Sequence, residues 1–211
     1  MRIALDIDST LHPYWDQLAG VAQRRYGVAL PYEHQHTWGI TELAPDELAA
    51  CVAETHEPDR VLAAEPYPGA VETVARWHAA GHFVHVTSHR TTAAREATAR
   101  WLERIGLPHD DLHCSYDKVA RCIELEIDVL IDDSPVTLVR ARAVGIVPAT
   151  LRHPWNAELC ERRGSCAPPT GRSSPRSSTP CSNGPRERHP APTLGRIPPH
   201  AAAGPGQHRG A

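Results

Sequence analysis

The sequence predicts a three-layer α/β fold in which about five parallel strands are covered on both faces by helices. Three observations carry this. Short apolar runs recur along residues 1–161, and each ends in polar residues. Segments of helical period, roughly 8–14 residues long, separate them, and glycine closes most of those segments. Strands that alternate with such helices build βαβ units. The strands of a sheet buried on both faces read as unbroken apolar runs rather than alternating ones.

The first run is Ile3-Ala4-Leu5-Asp6-Ile7. Trp15, Leu18, Val21, Ala22 and Tyr26 then recur at helical spacing over Tyr14 to Tyr26, with Gly27 as the stop. Pro31, Pro45, Pro58 and Pro66 break up residues 31–66 around short helical stretches such as Asp46 to Val52, so this region reads as a small helical insertion outside the sheet. Pro68-Gly69 opens a helix over Ala70 to Ala80, closed by Gly81. His82 to Ser88 is a second strand, and Thr92 to Ile105 a helix with Trp101 and Leu102 on its apolar side. Asp111 to Cys114 is a short third strand, followed by a helix over Lys118 to Leu125. Ile127 to Ile131 is a fourth strand, Val136 to Val144 a helix stopped by Gly145, and Ile146 to Leu151 holds a fifth strand.

Charge divides the chain in the same place as pattern. The 211 residues carry a formal net charge of −3, but residues 1–161 hold 14 basic and 24 acidic residues, whereas residues 162–211 hold 8 Arg and only Glu187. The last 50 residues also hold ten of the 20 Pro, and Leu194 and Ile197 are their only large apolar side chains. Such a segment buries too little apolar surface to offset its ordering entropy, so a disordered tail is expected. A frame change in a GC-rich gene, which would write Pro, Arg, Gly and Ala, is a second reading of the same text. The folded part is acidic, which argues against nucleic acid as a partner. No apolar stretch approaches the roughly 20 residues that cross a bilayer. No leader-like run stands at the N-terminus, and the six Cys form no CxxC pair. A cytoplasmic protein with free buried thiols follows as the expectation.

Four strand ends collect chemistry-bearing residues. Asp6-Ile7-Asp8-Ser9-Thr10 follows the first strand, Thr87-Ser88-His89-Arg90 the second, Lys118 stands just past the third, and Asp132-Asp133 follow the fourth. Ligand sites in parallel sheets lie at this carboxyl edge. Carboxylates converging there repel and raise one another's pKa. A hard divalent cation with oxygen ligands relieves this, and Mg²⁺ accepts a few carboxylates plus a phosphate. Lys118 is the only Lys in the chain, a compact charge suited to a phosphate oxygen. Each residue also has a plainer reading taken alone. Asp6 and Asp8 suit a strand-end turn, Thr87-Ser88 a helix N-cap, and Lys118 a solvated helix position. His82, His85 and His89 do not share one strand face, which favours core or rim roles over a metal site.

The ordered set resembles the four motifs of the haloacid dehalogenase superfamily: DxDxT at Asp6 to Thr10, an apolar run ending in Thr87, a lone Lys118, and an apolar run ending in Asp132-Asp133. Within it the chain is similar to the cytosolic and mitochondrial 5′(3′)-deoxyribonucleotidases. The carrying residues are Ala64 to Ala70, Val86-Thr87-Ser88, Arg100 to Glu103, Asp117-Lys118, Leu130 to Asp133 and His153-Pro154-Trp155-Asn156. It departs from them at Ser9-Thr10, where Gly-Val is usual.

The resemblance implies a Rossmannoid core over residues 1–13 and 67–161, with residues 14–66 as a small helical cap that chooses substrate. It implies a Mg²⁺-dependent phosphomonoesterase in which Asp6 attacks phosphorus and Asp8 acts as general acid and base. Thr87 would bond the phosphoryl group and Lys118 would neutralise charge. Asp6, the Asp8 carbonyl, Asp132 and Asp133 would hold the metal. Ser88, His89, Arg90 and Trp15 are candidate substrate contacts, with Tyr14, Trp38 and Tyr67 as further candidates for a nucleobase pocket. The expected substrate is a nucleoside monophosphate, and a homodimer is compatible with the reading. A phosphatase for sugar phosphates or other small metabolites, or a weakly catalytic binding protein of the same fold, are the alternatives.

Overall fold

This computed structural model describes residues 1–161. The expectations for residues 162–211 lie outside the described residues.

Five strands form one sheet in the order β3-β2-β1-β4-β5, parallel throughout. They are β1 (Arg2–Leu5), β2 (Phe83–Ser88), β3 (Asp111–Cys114), β4 (Val129–Ile131) and β5 (Val147–Ala149). The central strand β1 pairs on one side with β2 (Leu5 opposite Val86) and on the other with β4 (Leu5 opposite Ile131). This register is what brings the strand ends together. Strand β1 is shorter than the apolar run that encodes it. The Asp6 N–H still donates to the Ile131 carbonyl at 2.8 Å, and then the chain turns, with the Leu11 N–H returning to the Ile7 carbonyl at 2.8 Å.

Alternation along β1 sends Ile3 and Leu5 to one face and Ala4 to the other. Ile3, Leu5, Val84 and Val86 pack with Val74 of α4 (Ala70–Ala79) and with Trp101 and Leu102 of α5 (Arg95–Arg104). On the opposite face Ala4 and Leu130 pack with Cys122 of α6 (Lys118–Glu124) and Ala141 of α7 (Pro135–Ala143). The three layers expected from the sequence are therefore present. Local chemistry starts these helices where the sequence places them. The Asp117 carboxylate accepts from the Ala120 N–H at 3.3 Å at the start of α6, and Ser134 Oγ accepts from the Thr137 N–H at 3.3 Å with Pro135 in the first turn of α7. The expected helix from Thr92 instead opens with a 3-10 turn, Thr92–Ala94, before α5, a common start for a helix.

Between β1 and α4 the chain forms α1 (Tyr14–Tyr26), a 3-10 turn (Tyr32–His34), α2 (Pro45–Thr55) and α3 (Pro58–Ala63). Gly27 ends α1 at φ 70°, a left-handed conformation that glycine adopts without strain. Pro45 and Pro58 each sit at the start of a helix, where a missing N–H costs nothing. Trp15, Leu18, Val21, Ala22, Leu30, Leu43 and Cys51 make a second apolar cluster, joined by Trp155 from beyond β5. A 3-10 turn (Pro154–Asn156) and a short α8 (Ala157–Glu161) follow β5 and were not anticipated. Cys51, Cys114 and Cys122 are free and buried, as expected. Among the described residues no helix is long and apolar enough to cross a membrane.

Trp101 is fully buried, and its indole N–H donates to the Ala64 carbonyl at 2.8 Å, tying α5 to the segment that leads into α4. Trp101→Ala is expected to lower unfolding free energy by about 3–5 kcal/mol, read by urea denaturation. A loss under about 1 kcal/mol would show that the cluster closes around the gap.

Candidate active site

Loop geometry after β1 puts Asp6 and Asp8 at the carboxyl edge. Ser9 adopts φ 60°, uncommon for a residue with a Cβ and costing on the order of 1 kcal/mol or more. Its N–H donates to the His12 carbonyl at 3.0 Å, closing a tight turn over residues 9–12.

Lys118, at the start of α6, crosses to the centre of this edge. Its Nζ lies 2.6 Å from Asp6 Oδ1 and donates to Asp132 Oδ2 at 2.9 Å. All three side chains are essentially inaccessible. Asp132 also accepts from the Ser134 N–H at 2.8 Å through its other oxygen. Burial disfavours the charged ammonium, but the adjoining Asp6 and Asp132 carboxylates outweigh it and hold Lys118 above its usual pKa.

Asp6, Asp132 and Asp133 each offer a carboxylate oxygen, and these atoms lie within 4.8 Å of one another. A cation shared by several carboxylates needs their oxygens to converge, and these three converge at one buried point. Electrostatics agree. Burial, with repulsion from Asp132 and Asp8, raises Asp6 from 3.8 to about 7 despite Lys118. Burial, with repulsion from Asp6 and Asp132, raises Asp133 well above 3.8. Four acids face two buried cations here, Lys118 and Arg90. With all four ionised, two negative charges would be left unbalanced; a divalent cation would offset them, so the residues present fit one.

Asp8 is held differently. Arg90 is 2% exposed; its Nη2 donates to Asp8 Oδ1 at 2.7 Å and its Nε to Oδ2 at 3.3 Å. His12 Nε2 lies 2.9 Å from Oδ1, and His56 Nε2, at the end of α2, lies 3.6 Å from Oδ2. Burial works against the anion, but the Arg90 guanidinium and the two histidines overcome it and hold Asp8 well below its ordinary pKa. Arg90 is fixed in turn, with Nη1 donating to Thr98 Oγ1 at 3.2 Å and the guanidinium 5.9 Å from the Trp101 ring.

Thr87, one residue before the end of β2, is fully buried, and its hydroxyl has no hydrogen-bond partner among the described residues. Such an orphaned group at the edge of the acid cluster suits a phosphoryl oxygen. Ser88 Oγ lies 3.5 Å from Asp8 Oδ2 and accepts from the Arg90 N–H at 3.2 Å. His89 is half-buried and stacks on Tyr116 at 5.8 Å; burial and the Lys118 charge push its pKa down to about 4.

The structure thus brings Asp6, Asp8, Thr87, Ser88, Arg90, Lys118, Asp132 and Asp133 to one edge. Arg90 binds Asp8 instead of standing free for a substrate. Trp15 is placed elsewhere: it is 9% exposed, its indole N–H donates to the Leu30 carbonyl at 2.9 Å, and its ring packs 5.3 Å from Trp155. Of the other aromatics, Tyr14 bonds Thr55 Oγ1 at 2.9 Å and packs 5.8 Å from His56, while Trp38 is half-exposed. Sequence reasoning missed His12 and His56 altogether. The i, i+4 spacing of Asp8 and His12 was the available signal for the first; nothing local marks the second.

The fold recurs in solved structures. A haloacid dehalogenase family hydrolase from Deinococcus radiodurans R1 superposes with a TM-score of 0.56 at 19% identity, covering 78% of this chain and 88% of that one. A family IA hydrolase of the same superfamily from Entamoeba histolytica gives 0.56 at 9% identity, covering 79% and 91%. The fold is that of the haloacid dehalogenase hydrolases. Residues 1–165 match the family model described as 5′ nucleotidase, deoxy (pyrimidine), cytosolic type C protein, and the chain belongs to that family of phosphatases. A protein of Oceanobacillus iheyensis named as a candidate nucleotidase is 26% identical over 149 residues, 65% of this chain and 79% of its own length.

The raised acids carry a pH signature. Groups whose folded pKa exceeds the unfolded value contribute stability that is present below about pH 4 and lost as pH rises through about 7. A cation bound to their ionised forms reverses that loss. The rise in Tm on adding Mg²⁺ is therefore expected to be larger near pH 8 than near pH 5, by differential scanning fluorimetry in chelated buffer. An equal rise at both pH values would remove the acid cluster as its origin.

Proposed function

We propose that this protein is a Mg²⁺-dependent phosphomonoesterase that hydrolyses nucleoside monophosphates through an aspartyl-phosphate on Asp6. The observation that carries the reading is the buried Asp6 carboxylate, set against Lys118 and within ligand distance of Asp132 and Asp133, in a chain of the nucleotidase family. The Deinococcus hydrolase of the same fold holds phosphate and sodium.

Asp6 would attack phosphorus in line with the leaving oxygen, so that one displacement becomes two. Asp6, Asp132, Asp133 and the Asp8 carbonyl would hold Mg²⁺, whose chemistry is to spread the charge of the transferring group and to favour the ionised Asp6. Lys118 neutralises the nucleophile and a phosphoryl oxygen, and the Thr87 hydroxyl donates to another. Asp8 gives a proton to the leaving alkoxide and later takes one from water. An arriving phosphate dianion beside Asp8 raises its pKa against the pull of Arg90, which supplies the protonated form for the first half. Residues 14–66 would serve as the cap. His56 brings it to Asp8, and the leaving nucleoside would sit between this segment and the sheet edge.

A screen of nucleoside monophosphates and sugar phosphates, with and without Mg²⁺, tests the proposal. Metal-dependent release of phosphate from nucleotides is expected, with Asp6→Asn at background and Asp8→Asn lowered about 10²–10⁴-fold. Turnover without a metal requirement, or undiminished in Asp6→Asn, would refute the mechanism. Turnover confined to sugar phosphates would refute the substrate assignment alone.

A further inference from the structure

The turn after β5 supplies no group to the chemistry above, yet it touches both loops that carry it. His153 is 2% exposed. Its Nε2 lies 2.8 Å from the Ser9 carbonyl oxygen and its Nδ1 2.8 Å from the Tyr32 hydroxyl. A carbonyl only accepts, so Nε2 carries the proton, and neutral Nδ1 accepts from Tyr32. Burial keeps this imidazole neutral, with a pKa pushed down to about 4. The ring stacks flat on Trp155, centroids 4.5 Å apart, and Trp155 packs on Trp15 and Tyr32 of the helical insertion.

Asn156 stands three residues on and is 1% exposed. Its Nδ2 donates to the Asp133 carbonyl at 3.1 Å and to the Leu151 carbonyl at 3.0 Å. Its Oδ1 accepts from the His153 N–H at 2.8 Å, so the two residues act as one unit. One end of the unit holds the peptide after Ser9, the residue at φ 60° that separates Asp8 from Thr10. The other end holds the backbone of Asp133. A backbone conformation of this kind persists only where its surroundings over-determine it. His153 is the partner of that carbonyl from the far end of the chain.

We propose that His153 and Asn156 are positioning residues that fix the Ser9–Thr10 peptide, next to Asp8, and the Asp133 backbone relative to one another for cation and phosphate. Through Tyr32, His153 also ties this register to residues 14–66. The inference rests on the phosphatase site proposed above. Groups that orient ligands without touching the metal commonly control affinity and turnover together.

The test uses full-length wild type, His153→Phe, His153→Gln and Tyr32→Phe. It reads Mg²⁺ affinity by isothermal titration calorimetry, and kcat and KM on the best substrate of the screen, at temperatures below each variant's Tm. Phe keeps the stack but cannot donate. It is expected to weaken Mg²⁺ binding and lower kcat by about 10–100-fold, with KM moving far less. Gln, whose amide reaches the Ser9 carbonyl, is expected to recover most of both. Tyr32→Phe is expected to lower kcat about fivefold, the worth of one neutral hydrogen bond. A folded His153→Phe protein that matches wild type in Mg²⁺ affinity and kcat overturns the inference. Should that variant fail to fold, Tyr32→Phe decides: a kcat equal to wild type overturns it. A wild type that neither binds Mg²⁺ nor releases phosphate defeats the proposed function and takes this inference with it. An active wild type with unaffected variants defeats the inference alone.

Discussion

The constraint on which the site depends is the burial of one ammonium between two carboxylates. Lys118, Asp6 and Asp132 have side chains that are almost wholly withdrawn from water. Each ion loses several kcal/mol of hydration on burial, and only close, well-directed contacts offset this. The parallel order β3-β2-β1-β4-β5 makes those contacts available. Adjacent strands β1 and β4 bring Asp6 and Asp132 side by side, and the start of α6, beyond β3, lets Lys118 reach in from the other half of the sheet. No other part of the chain offers a Lys. The apolar clusters on the two sheet faces thus have a role beyond stability, because they hold three strand ends rigid enough for a buried charge triad to exist.

A second cation, Arg90, is buried for a different purpose. A guanidinium presents a planar fork that matches a carboxylate, whereas an ammonium is a point charge. Arg90 uses the fork on Asp8 and a further donor on Thr98. A lysine at position 90 would lose the two-pronged contact to Asp8, and an arginine at position 118 would bring a larger planar group to a fully buried place between two carboxylates. The two positions are not interchangeable, and the sequence observes the distinction: every other base in the chain is Arg.

The strand ends were legible because the information in them is local. An apolar run followed by acids identifies both the strand and its chemistry, and helix caps such as Asp117 and Ser134 act within three residues. The partners of those acids were not legible in the same way. Arg90 read as a substrate contact because sequence order places it past β2, while its actual partner is 82 residues away. Trp15 read both as part of an apolar helical stripe with Leu18 and Ala22 and as a candidate substrate contact, and it packs. The His153 contact to Ser9 spans 144 positions and has no periodic signature. Shortened strands have a related cause. Asp6 and Ile7 continue the apolar run, but the turn hydrogen bonds after Ile7 win over further pairing with β4.

The chain's own groups set Asp6 and Asp8 in opposite senses. Burial and neighbouring acids hold Asp6 toward its neutral form, while Arg90 and the two histidines hold Asp8 as an anion. Environments that push two carboxyl groups apart ordinarily mark out an acid and a base. Here the assignment is the reverse of what phosphoryl transfer to Asp6 requires, since a nucleophile must be ionised and a general acid protonated. On the proposed mechanism both reversals come from the reactants. A divalent charge beside Asp6, Asp132 and Asp133 favours the ionised nucleophile, and the negative phosphate beside Asp8 favours its protonated form. On this reading the metal and the phosphate would act on different carboxyl groups, the first on Asp6 and the second on Asp8. On that mechanism the Asp8–Arg90 pairing would do more than orient a side chain: it would hold the acid ionised until a phosphate arrives to compete with Arg90.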